Sequence, residues 1–389
     1  MLPLLRPRSF GPCILLLLFL TSVCFSRSYG QTLPAGFTTS VASTGWTQPM
    51  GIAFSKNGSQ MYVYEKSGRV YISNYDSVTK NYNKQSLPVL DIAQEVGNWN
   101  DYGMMGFALD PDYDTNGFIY LLYVVDRHHL LYFGTPSYSS TTDEYWNATI
   151  GRVTKYKVAK NAQNQTVADP ATRKILLGEK KTNGIPLLYN SHGLGSLVFA
   201  DDKTLLISAG DAASYAMDDF GPNADTYFAQ ALADSIIRPN ENVGAFRAQM
   251  VNSYNGKILR IDKETGDGIS SNPFYQSSAP RSAQSRVWAM GFRNPFRFVV
   301  RPNTGSTLPS AGDVGEIYVG DVGYGRFEEL NTIRYPGTNC GWPIYEGITP
   351  TSGDYYTQSF NIFNKDELNP LYGVNGCTRQ YFTFAELLK

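Results

Sequence analysis

Four segments of the chain repeat one pattern of apolar and polar positions. Each has a short apolar run, a polar turn and a second run rich in tyrosine or β-branched residues, and the four begin at Met50, Gly103, Gly193 and Arg293. Such runs on either side of turn residues predict β-hairpins. Four hairpins at long, irregular spacing indicate a β-propeller with one hairpin in each blade, although a sandwich of unrelated hairpins fits the same pattern.

Long insertions separate the hairpins, notably residues 126–150 and 212–250. The second contains DTYFAQALADSIIRP, which predicts a short helix that ends at Pro239. Connections of this length often line a binding face. Because no low-complexity stretch or linker interrupts the chain, residues 31–389 are predicted to form one domain.

Composition supports an all-β fold with a large core. The chain has 389 residues, of which 42% are hydrophobic, 14% aromatic and only 17% charged, with 36 glycines for turns. Without the first thirty residues, which hold three arginines and no acids, 30 basic residues face 34 acidic ones, a net charge of −4. This balance predicts no nucleic-acid partner and no attraction to an anionic membrane.

The first thirty residues are predicted to be a secretory signal peptide. Arg6 and Arg8 precede an apolar run from Cys13 to about Val23, and small residues precede Gln31. The run is too short for a membrane-spanning helix, which needs about 20 apolar residues. We therefore expect a secreted protein without a membrane span, and the sequons at Asn57, Asn147 and Asn164 agree with glycosylation during secretion.

Two cysteines, Cys340 and Cys377, follow the predicted signal peptide. In an oxidising compartment they are predicted to form a disulfide. Two free buried thiols are the alternative, because spacing along the sequence does not establish the distance between two Cα atoms.

Three motifs suggest ligands but match them poorly. The stretch from Asp112 opens like an EF-hand calcium loop, yet position twelve is Tyr123 where a bidentate glutamate is needed, which favours a plain hairpin turn. His128 and His129 are adjacent and would point to different sides of an extended chain, which favours a packing role over a metal site. GLGSLV has Val198 at the third glycine position of a dinucleotide fingerprint and lacks a βαβ context.

His192 has more suggestive surroundings. Gly193 and Gly195 remove side chains beside it, and the hairpin that follows ends in Asp211. If the two approach each other, the carboxylate would bind one ring nitrogen and leave the other as a general base. A buried histidine satisfied by backbone groups fits these residues equally well.

Two further stretches carry charged groups with more than one interpretation. Arg293 and Asn294 begin the fourth hairpin, where the arginine would either stabilise a negative oxygen or tie down a loop. Downstream, Asp321, Glu328 and Glu329 lie among glycines. They would either coordinate a hard cation or form a solvated acidic turn.

Taken together, SHGLGSLVF, LLISAGD, GFRNPFRF, GDVGYGRFEELN and NCGWP occur in an order and spacing that resembles the glucose/sorbosone dehydrogenase family of soluble quinoproteins. The likeness runs from about Gly45 to about Gly347. It implies a six-bladed propeller that binds pyrroloquinoline quinone and calcium on its axis. It also implies oxidation of the anomeric hydroxyl of an aldose, with the electrons passed to an acceptor.

The resemblance assigns roles to individual residues. His192 matches the general base, and Asp211 matches the carboxylate that orients it. Arg293 and Asn294 match the pair that contacts the quinone, where the arginine stabilises charge on the reduced ring. Gly323 and Tyr324 match the two residues whose backbone carbonyls bind calcium.

The chain departs from the family pattern at several positions. Asp101, which is predicted with Arg293 and Asn294 to bind the cofactor, stands where the family often has a glutamine, and Cys340 stands where it has a tyrosine. About four blades are predicted here, whereas the cations that hold the cofactor's carboxylates in the family come from the last two of six. A secreted, non-catalytic binding ectodomain of the hedgehog-interacting-protein type, with a protein partner, is therefore an alternative function. A calcium-dependent lactonase is a third.

Overall fold

The computed structural model describes residues 33–351, 369–378 and 380. The predicted signal peptide, residues 1–30, lies outside the described residues. The chain separates into two compact units, Met1–Ala42 and Ser43–Lys389. In the first unit, the described residues 33–42 are exposed and form no helix or strand. All regular elements described below belong to the second unit.

Two sheets form the first half of the second unit. The first sheet has the strands β1 (Pro49–Phe54), β2 (Gln60–Glu65), β3 (Arg69–Asp76), β4 (Asn81–Lys84) and β5 (Leu90–Asp91). The second sheet has β6 (Met104–Leu109), β7 (Phe118–Val124), β8 (Thr149–Lys160), β9 (Thr166–Leu177) and β10 (Ile185–Leu187). Strands of the second sheet run in the order β10-β8-β7-β6, with β9 on β8.

The second half holds two larger sheets and a short hairpin. The third sheet is β11 (Leu194–Phe199), β12 (Leu205–Ala209), β13 (Lys257–Ile261) and β14 (Val287–Met290), and the fourth is β15 (Arg297–Val300), β16 (Ile317–Asp321) and β17 (Glu329–Ile333). The hairpin is β18 (Tyr345–Glu346) and β19 (Thr349–Pro350).

The helices of the described residues are all short. The α-helices are α1 (Tyr113–Asn116), α2 (Arg127–Tyr132), α3 (Phe228–Ala233) and α4 (Ala283–Arg286). Turns of 3₁₀-helix cover Pro239–Glu241, Gly244–Gln249 and Pro309–Ala311. Within the described ranges, no helix combines the length and apolar character needed to cross a membrane.

The four hairpins predicted from the sequence are confirmed. Strand β1 pairs antiparallel with β2, β6 with β7, β11 with β12, and β15 with β16. The first strand of each sheet also contacts the first strand of the next, so that β1, β6, β11 and β15 lie side by side. Sheets that meet through their innermost strands are the blades of a β-propeller, and the described residues contain four of them.

Apolar clusters fill the spaces between successive sheets. The first cluster includes Tyr62 and Ile72 of the first sheet and Leu121 and Tyr123 of the second. Equivalent clusters join the second sheet to the third and the third to the fourth. Because each sheet presents alternate residues to its neighbour, burial of these faces holds the blades in position around the axis.

The helix predicted in the second insertion is shorter than expected. Helix α3 ends at Ala233 rather than near Pro239, and Ser235 has a left-handed φ of 59°. The chain leaves the helix there because Ile236 and Ile237 pack into the first apolar cluster. Pro239 instead begins a 3₁₀ turn.

The predicted disulfide is not formed, which corrects that expectation. Cys340 and Cys377 are unbridged, and each is partly buried. The Cys340 side chain packs against the apolar cluster between the third and fourth sheets, and burial raises the pKa of its thiol to about 12. Cys377 lies in a separate turn, where its Sγ accepts a hydrogen bond from Asn369 Nδ2 at 3.5 Å. The two sulfur atoms therefore belong to different local environments.

Candidate active site

A cavity of about 520 Å³ lies where the innermost strands of the four blades begin. Its wall includes Met50 of β1, Met105 of β6 and Leu194 of β11, together with Phe296 just before β15. Its volume is within the range of about 300–1,000 Å³ that is usual for small-molecule sites. The remaining wall residues are Lys66, Asn100, Asp101, Ser191, His192, Gly193, Asn294 and Val322.

His192 lines this cavity in a constrained conformation. Its φ is 52°, and its carbonyl accepts a hydrogen bond from the backbone N–H of Ala212 at 3.0 Å. A Cβ on Gly210 would lie 2.4 Å from the His192 carbonyl oxygen, so only glycine allows this approach. The His192 side chain is 5% exposed, and its Nδ1 lies 3.0 Å from Asp211 Oδ1. Nε2 has no hydrogen-bond partner among the described residues.

The Asp211 carboxylate is fully buried and accepts three hydrogen bonds. Beside His192, the donors are the backbone N–H of Ala213 at 2.9 Å and Trp342 Nε1 at 2.7 Å. Burial acts to raise the pKa of Asp211, but the charge of His192, these hydrogen bonds and Arg293 outweigh it and leave the pKa below its ordinary value. The group is therefore a carboxylate, which favours a proton on Nδ1 of His192 and leaves Nε2 as the ring nitrogen that Asp211 does not engage.

Arg293 and Asn294 are held by a single carboxylate. Their backbone N–H groups donate to Asp321 Oδ2 at 3.0 Å and Oδ1 at 2.6 Å. Burial nevertheless raises the pKa of Asp321 to about 7, because the two N–H groups only partly offset the lost hydration. The Arg293 guanidinium donates to the carbonyl of Val322 at 3.1 Å.

The Arg293 guanidinium also lies beside two aromatic rings that contact each other. Its Cζ is 5.5 Å from the ring centre of Tyr324 and 5.6 Å from that of Trp342. Such cation–π contacts stabilise the positive charge. Arg293 lies behind the cavity wall, whereas Asn294 lines the cavity, and the Asn294 side chain makes no hydrogen bond to the described residues.

Asp101 reaches the same cavity from the second blade. It is exposed, and its Oδ2 accepts a hydrogen bond from Ser191 Oγ at 2.5 Å. The structure thus brings together three residues that the sequence separates by up to about 190 positions, namely Asp101, His192 and Asn294.

The loop after β16 contains Gly323 and Tyr324. The backbone N–H groups of Tyr324, Gly325 and Arg326 all donate to Glu346 Oε1, at 2.6, 2.9 and 3.2 Å. A Cβ on Gly323 would lie 1.8 Å from the carbonyl oxygen of Phe327, so the bend requires glycine. These hydrogen bonds to Glu346 fix the conformation of the loop. The sequence motifs did not indicate a role for Glu346.

The acidic side chains beside this loop accept hydrogen bonds from nearby backbone N–H groups. Glu328 Oε2 accepts from the backbone N–H of Gly323 at 3.2 Å, and Glu329 accepts from the backbone N–H of Gly347. In the described part of the chain, no group of three or more His, Cys, Asp or Glu side chains could hold a metal ion. The side-chain cation site considered for Asp321, Glu328 and Glu329 therefore does not form.

The paired histidines have the packing role that was predicted, but on a helix. His128 and His129 are buried on α2 rather than on an extended segment. His128 Nε2 accepts from the backbone N–H of Ser139 at 3.0 Å, and the His129 ring stacks on Phe133. The turn at Asp112 joins β6 to β7, and Lys203 binds its carboxylate at 2.8 Å.

The three sequons lie at different depths. Asn57 and Asn164 are exposed residues in turns. Asn147 is half-buried, and its Nδ2 donates to the carbonyl of Tyr145 at 2.7 Å. Asn57 and Asn164 are thus the more accessible candidates for glycosylation.

These features define the class of protein as a β-propeller with an axial His–Asp site. The family model described as Glucose / Sorbosone dehydrogenase matches residues 46–368, which is more than half of the chain, and the chain belongs to this family. The resemblance stated from the sequence motifs is therefore confirmed.

Curated relatives include plant and bacterial proteins. The HIPL2 protein of Arabidopsis thaliana is 25% identical over 86% of this chain and 50% of its own length, and the HIPL1 protein is 26% identical over 75% and 39%. Quinoprotein glucose dehydrogenase B of Acinetobacter calcoaceticus is 25% identical over 72% of this chain and 48% of its own length. The chain thus spans half or less of these relatives.

Solved structures agree on the fold. The PQQ-bound form of the aldose sugar dehydrogenase from Streptomyces coelicolor superposes with a TM-score of 0.50 at 21% identity, covering 80% of this chain and 67% of that one. A structure titled glucose dehydrogenase gives a TM-score of 0.51 at 19% identity, covering 78% and 66%. At these identities the likeness establishes the propeller fold alone.

Proposed function

We propose that the chain carries the site of a secreted quinoprotein sugar dehydrogenase, which uses pyrroloquinoline quinone and calcium to oxidise the anomeric hydroxyl of an aldose to a lactone. One observation carries the proposal. His192 lines the axial cavity with Nε2 unpartnered among the described residues, while its Nδ1 is bound to a buried, ionised Asp211. Removal of a proton from a hydroxyl group requires a general base that is held in position and has a free nitrogen.

The polar groups of the cavity wall and of the loop after β16 are of the chemical types that bind the two cofactors. His192 Nε2 and the Asn294 amide are polar groups of the cavity wall without partners in the described part of the chain. The Gly323 carbonyl accepts no hydrogen bond from the described residues, and Tyr324 follows in the same bend. Because calcium binds backbone carbonyl oxygens, these two residues would hold it, with Asn294 beside the quinone and Arg293 behind the cavity wall. When bound, the metal-polarised quinone supplies a two-electron acceptor for the C1 hydride.

Side chains of the protein then accept the proton of the sugar hydroxyl and stabilise the charges that develop. Nε2 of His192 removes the proton of the C1 hydroxyl as the hydride leaves C1. Asp211 keeps its hydrogen bond to Nδ1 and stabilises the resulting imidazolium. The Arg293 guanidinium, held beside Tyr324 and Trp342 behind the cavity wall, supplies a positive charge that would stabilise negative charge developing on the bound ligand. Asp101 is an acceptor for hydroxyl groups of the sugar.

The test is reconstitution of the chain with calcium and pyrroloquinoline quinone. Aldoses should then reduce an artificial electron acceptor, measured by its absorbance. His192→Ala should lower kcat by at least about a hundredfold, the usual scale for loss of a general base. Lys203→Gln changes an exposed lysine that is not part of the cavity wall and is the control. Quinone bound by a folded chain without turnover of any aldose would contradict the enzyme function.

A non-catalytic binding ectodomain is the second candidate. It is supported by the HIPL relatives, one of which matches 86% of this chain. That function predicts a folded chain that neither binds the quinone nor oxidises sugars, and the partner would be a protein. The reconstitution above separates the two functions, because only the dehydrogenase binds the quinone.

Both functions assume secretion and glycosylation. The predicted signal peptide and the exposed sequons at Asn57 and Asn164 support this part of the proposal. Mass spectrometry of the chain recovered from the medium of eukaryotic cells should find glycans at these two asparagines. Retention of an unglycosylated chain inside the cells would contradict it.

A further inference from the structure

Lys66 brings a positive charge into the axial cavity from the first blade. It follows the last residue of β2 and begins the turn to β3. Its backbone is fixed on both sides, because its N–H donates to the carbonyl of Gln48 at 3.0 Å and its carbonyl accepts from the N–H of Met104 at 2.9 Å. The side chain therefore starts from a rigid position.

The path of the Lys66 side chain is also determined by packing. A Cβ on Gly103 would lie 2.5 Å from Lys66 Cγ, so glycine at that position leaves room for the aliphatic stem. The ammonium group then donates to the carbonyl of Asn100 at 2.5 Å. An ammonium has three donors, and this is the one hydrogen bond that it makes among the described residues. Two N–H groups are left for a ligand.

The charges of the cavity wall single out this lysine. Among the wall residues, Lys66 is the one side chain with a permanent positive charge and Asp101 the one carboxylate. Asp101 already accepts a hydrogen bond from Ser191. Arg293 lies behind the wall, where the carbonyl of Val322 and two aromatic rings engage it. An anionic ligand in the cavity therefore meets Lys66 as its nearest available cation in the wall.

We propose that Lys66 is the anion-binding residue of the axial cavity and pairs with a carboxylate of bound pyrroloquinoline quinone. This inference rests on the proposed function, since the quinone is a tricarboxylate. It places a carboxylate contact in the first blade. The sequence resemblance places such contacts in the last two blades of the family's propeller, so Lys66 is a different residue in a different position.

The experiment measures binding directly and needs no turnover. Quenching of tryptophan fluorescence, with calcium present and sugar absent, gives the Kd of the chain for the quinone and for its trimethyl ester, which lacks the negative charges. Lys66→Gln is compared with Lys66→Arg and with the control Lys203→Gln. Circular dichroism and thermal unfolding show that each variant is folded.

We expect Lys66→Gln to weaken binding of the acid by about tenfold to a hundredfold, the range for loss of one charge-assisted hydrogen bond. Binding of the ester should stay the same. Lys66→Arg should retain most of the affinity, and Lys203→Gln should match the unsubstituted chain. A lysine that only ties down the Asn100 loop would affect acid and ester equally.

Two results overturn the inference, and they are distinguishable. If Lys66→Gln leaves the affinity for the acid unchanged, or weakens acid and ester to the same extent, Lys66 does not pair with a carboxylate, and the proposed dehydrogenase function stands. If the unsubstituted chain binds neither form of the quinone, the proposed function and the role of Lys66 fail together.

Discussion

At the scale of single residues, the candidate site depends on how the Asp211 carboxylate is held. Three donors surround it, and one of them, Trp342, is 131 positions away in the sequence. The same indole ring stacks on the Arg293 guanidinium. Trp342 therefore connects the His–Asp pair to the arginine that lies behind the cavity wall.

This connection predicts the effect of Trp342→Phe. The substitution keeps an aromatic ring beside Arg293 but removes the N–H donor to Asp211 Oδ2. A buried acceptor without its donor costs about 1–3 kcal/mol, so the free energy of unfolding measured in urea should fall by that amount. Trp46→Phe is the control, because that tryptophan packs on Tyr71 in the first blade. An equal loss in both variants would contradict a specific role for the indole N–H.

At the scale of secondary structure elements, one buried glutamate joins three strands of the second blade. Glu95 Oε1 accepts hydrogen bonds from Tyr123 of β7 at 2.5 Å, Arg152 of β8 at 2.6 Å and Arg173 of β9 at 2.7 Å. Burial raises the pKa of Glu95, but the two arginines and the tyrosine outweigh it, and the pKa is lowered. Glu95 is therefore a carboxylate at neutral pH.

Glu95→Gln should therefore destabilise the fold in a pH-dependent way. At pH 7 the variant leaves two arginines without their counter-ion, at a cost of about 3–5 kcal/mol. A lowered pKa stabilises the folded state above the ordinary glutamate value, and this stabilisation is lost as the pH falls through the folded-state pKa. The unfolding free energies of the variant and the parent should thus converge in acid. Urea titrations at several pH values measure this.

A matched variant makes the Glu95 experiment specific. Glu316 also pairs with two arginines, Arg301 and Arg334, but this cluster is on the surface. Glu316→Gln should change the unfolding free energy little at any pH, because exposed ion pairs are screened by solvent. A gap between Glu95→Gln and the parent that stays constant down to the acid limit would contradict the assigned charge.

At the scale of the propeller unit, the fourth sheet has one buried and one exposed face. Phe298, Val319 and Ile333 pack towards the third sheet. The strand register places Val299 and Leu330 on the opposite face, where they are 60% and 75% exposed. Exposed apolar groups clustered on one sheet face favour association.

Association of the chain should therefore depend on this face. Sedimentation velocity should show concentration-dependent association of the unsubstituted chain, and Val299→Lys with Leu330→Lys should reduce it. Lysine is tolerated on an exposed strand face, so the double variant should remain folded. Val78, which is 87% exposed outside this sheet, gives the control Val78→Lys. A chain that stays monomeric at all concentrations would contradict the prediction.

Local sequence patterns determine much of this protein. The four hairpins, the propeller class and the placement of His192 in a glycine-rich loop before Asp211 all follow from neighbouring residues, because strand alternation and turn chemistry act over a few positions. The ordered motifs also identified the family. The helix before Pro239 is shorter than its sequence predicts, because burial of Ile236 and Ile237 outweighs helix propensity.

Tertiary structure decided which distant groups meet. Trp342 on Asp211, Glu346 on the loop after Gly323, and Lys66 beside Asn100 are contacts across long sequence separations, and no periodicity encodes them. The same reason applies to the two cysteines: whether they form a disulfide depends on the distance between separate parts of the chain, which the sequence does not give. Sequence thus determined the strands and the candidate base, whereas packing of the blades determined what surrounds that base, since such contacts form only when distant segments are brought together by burial of their apolar faces.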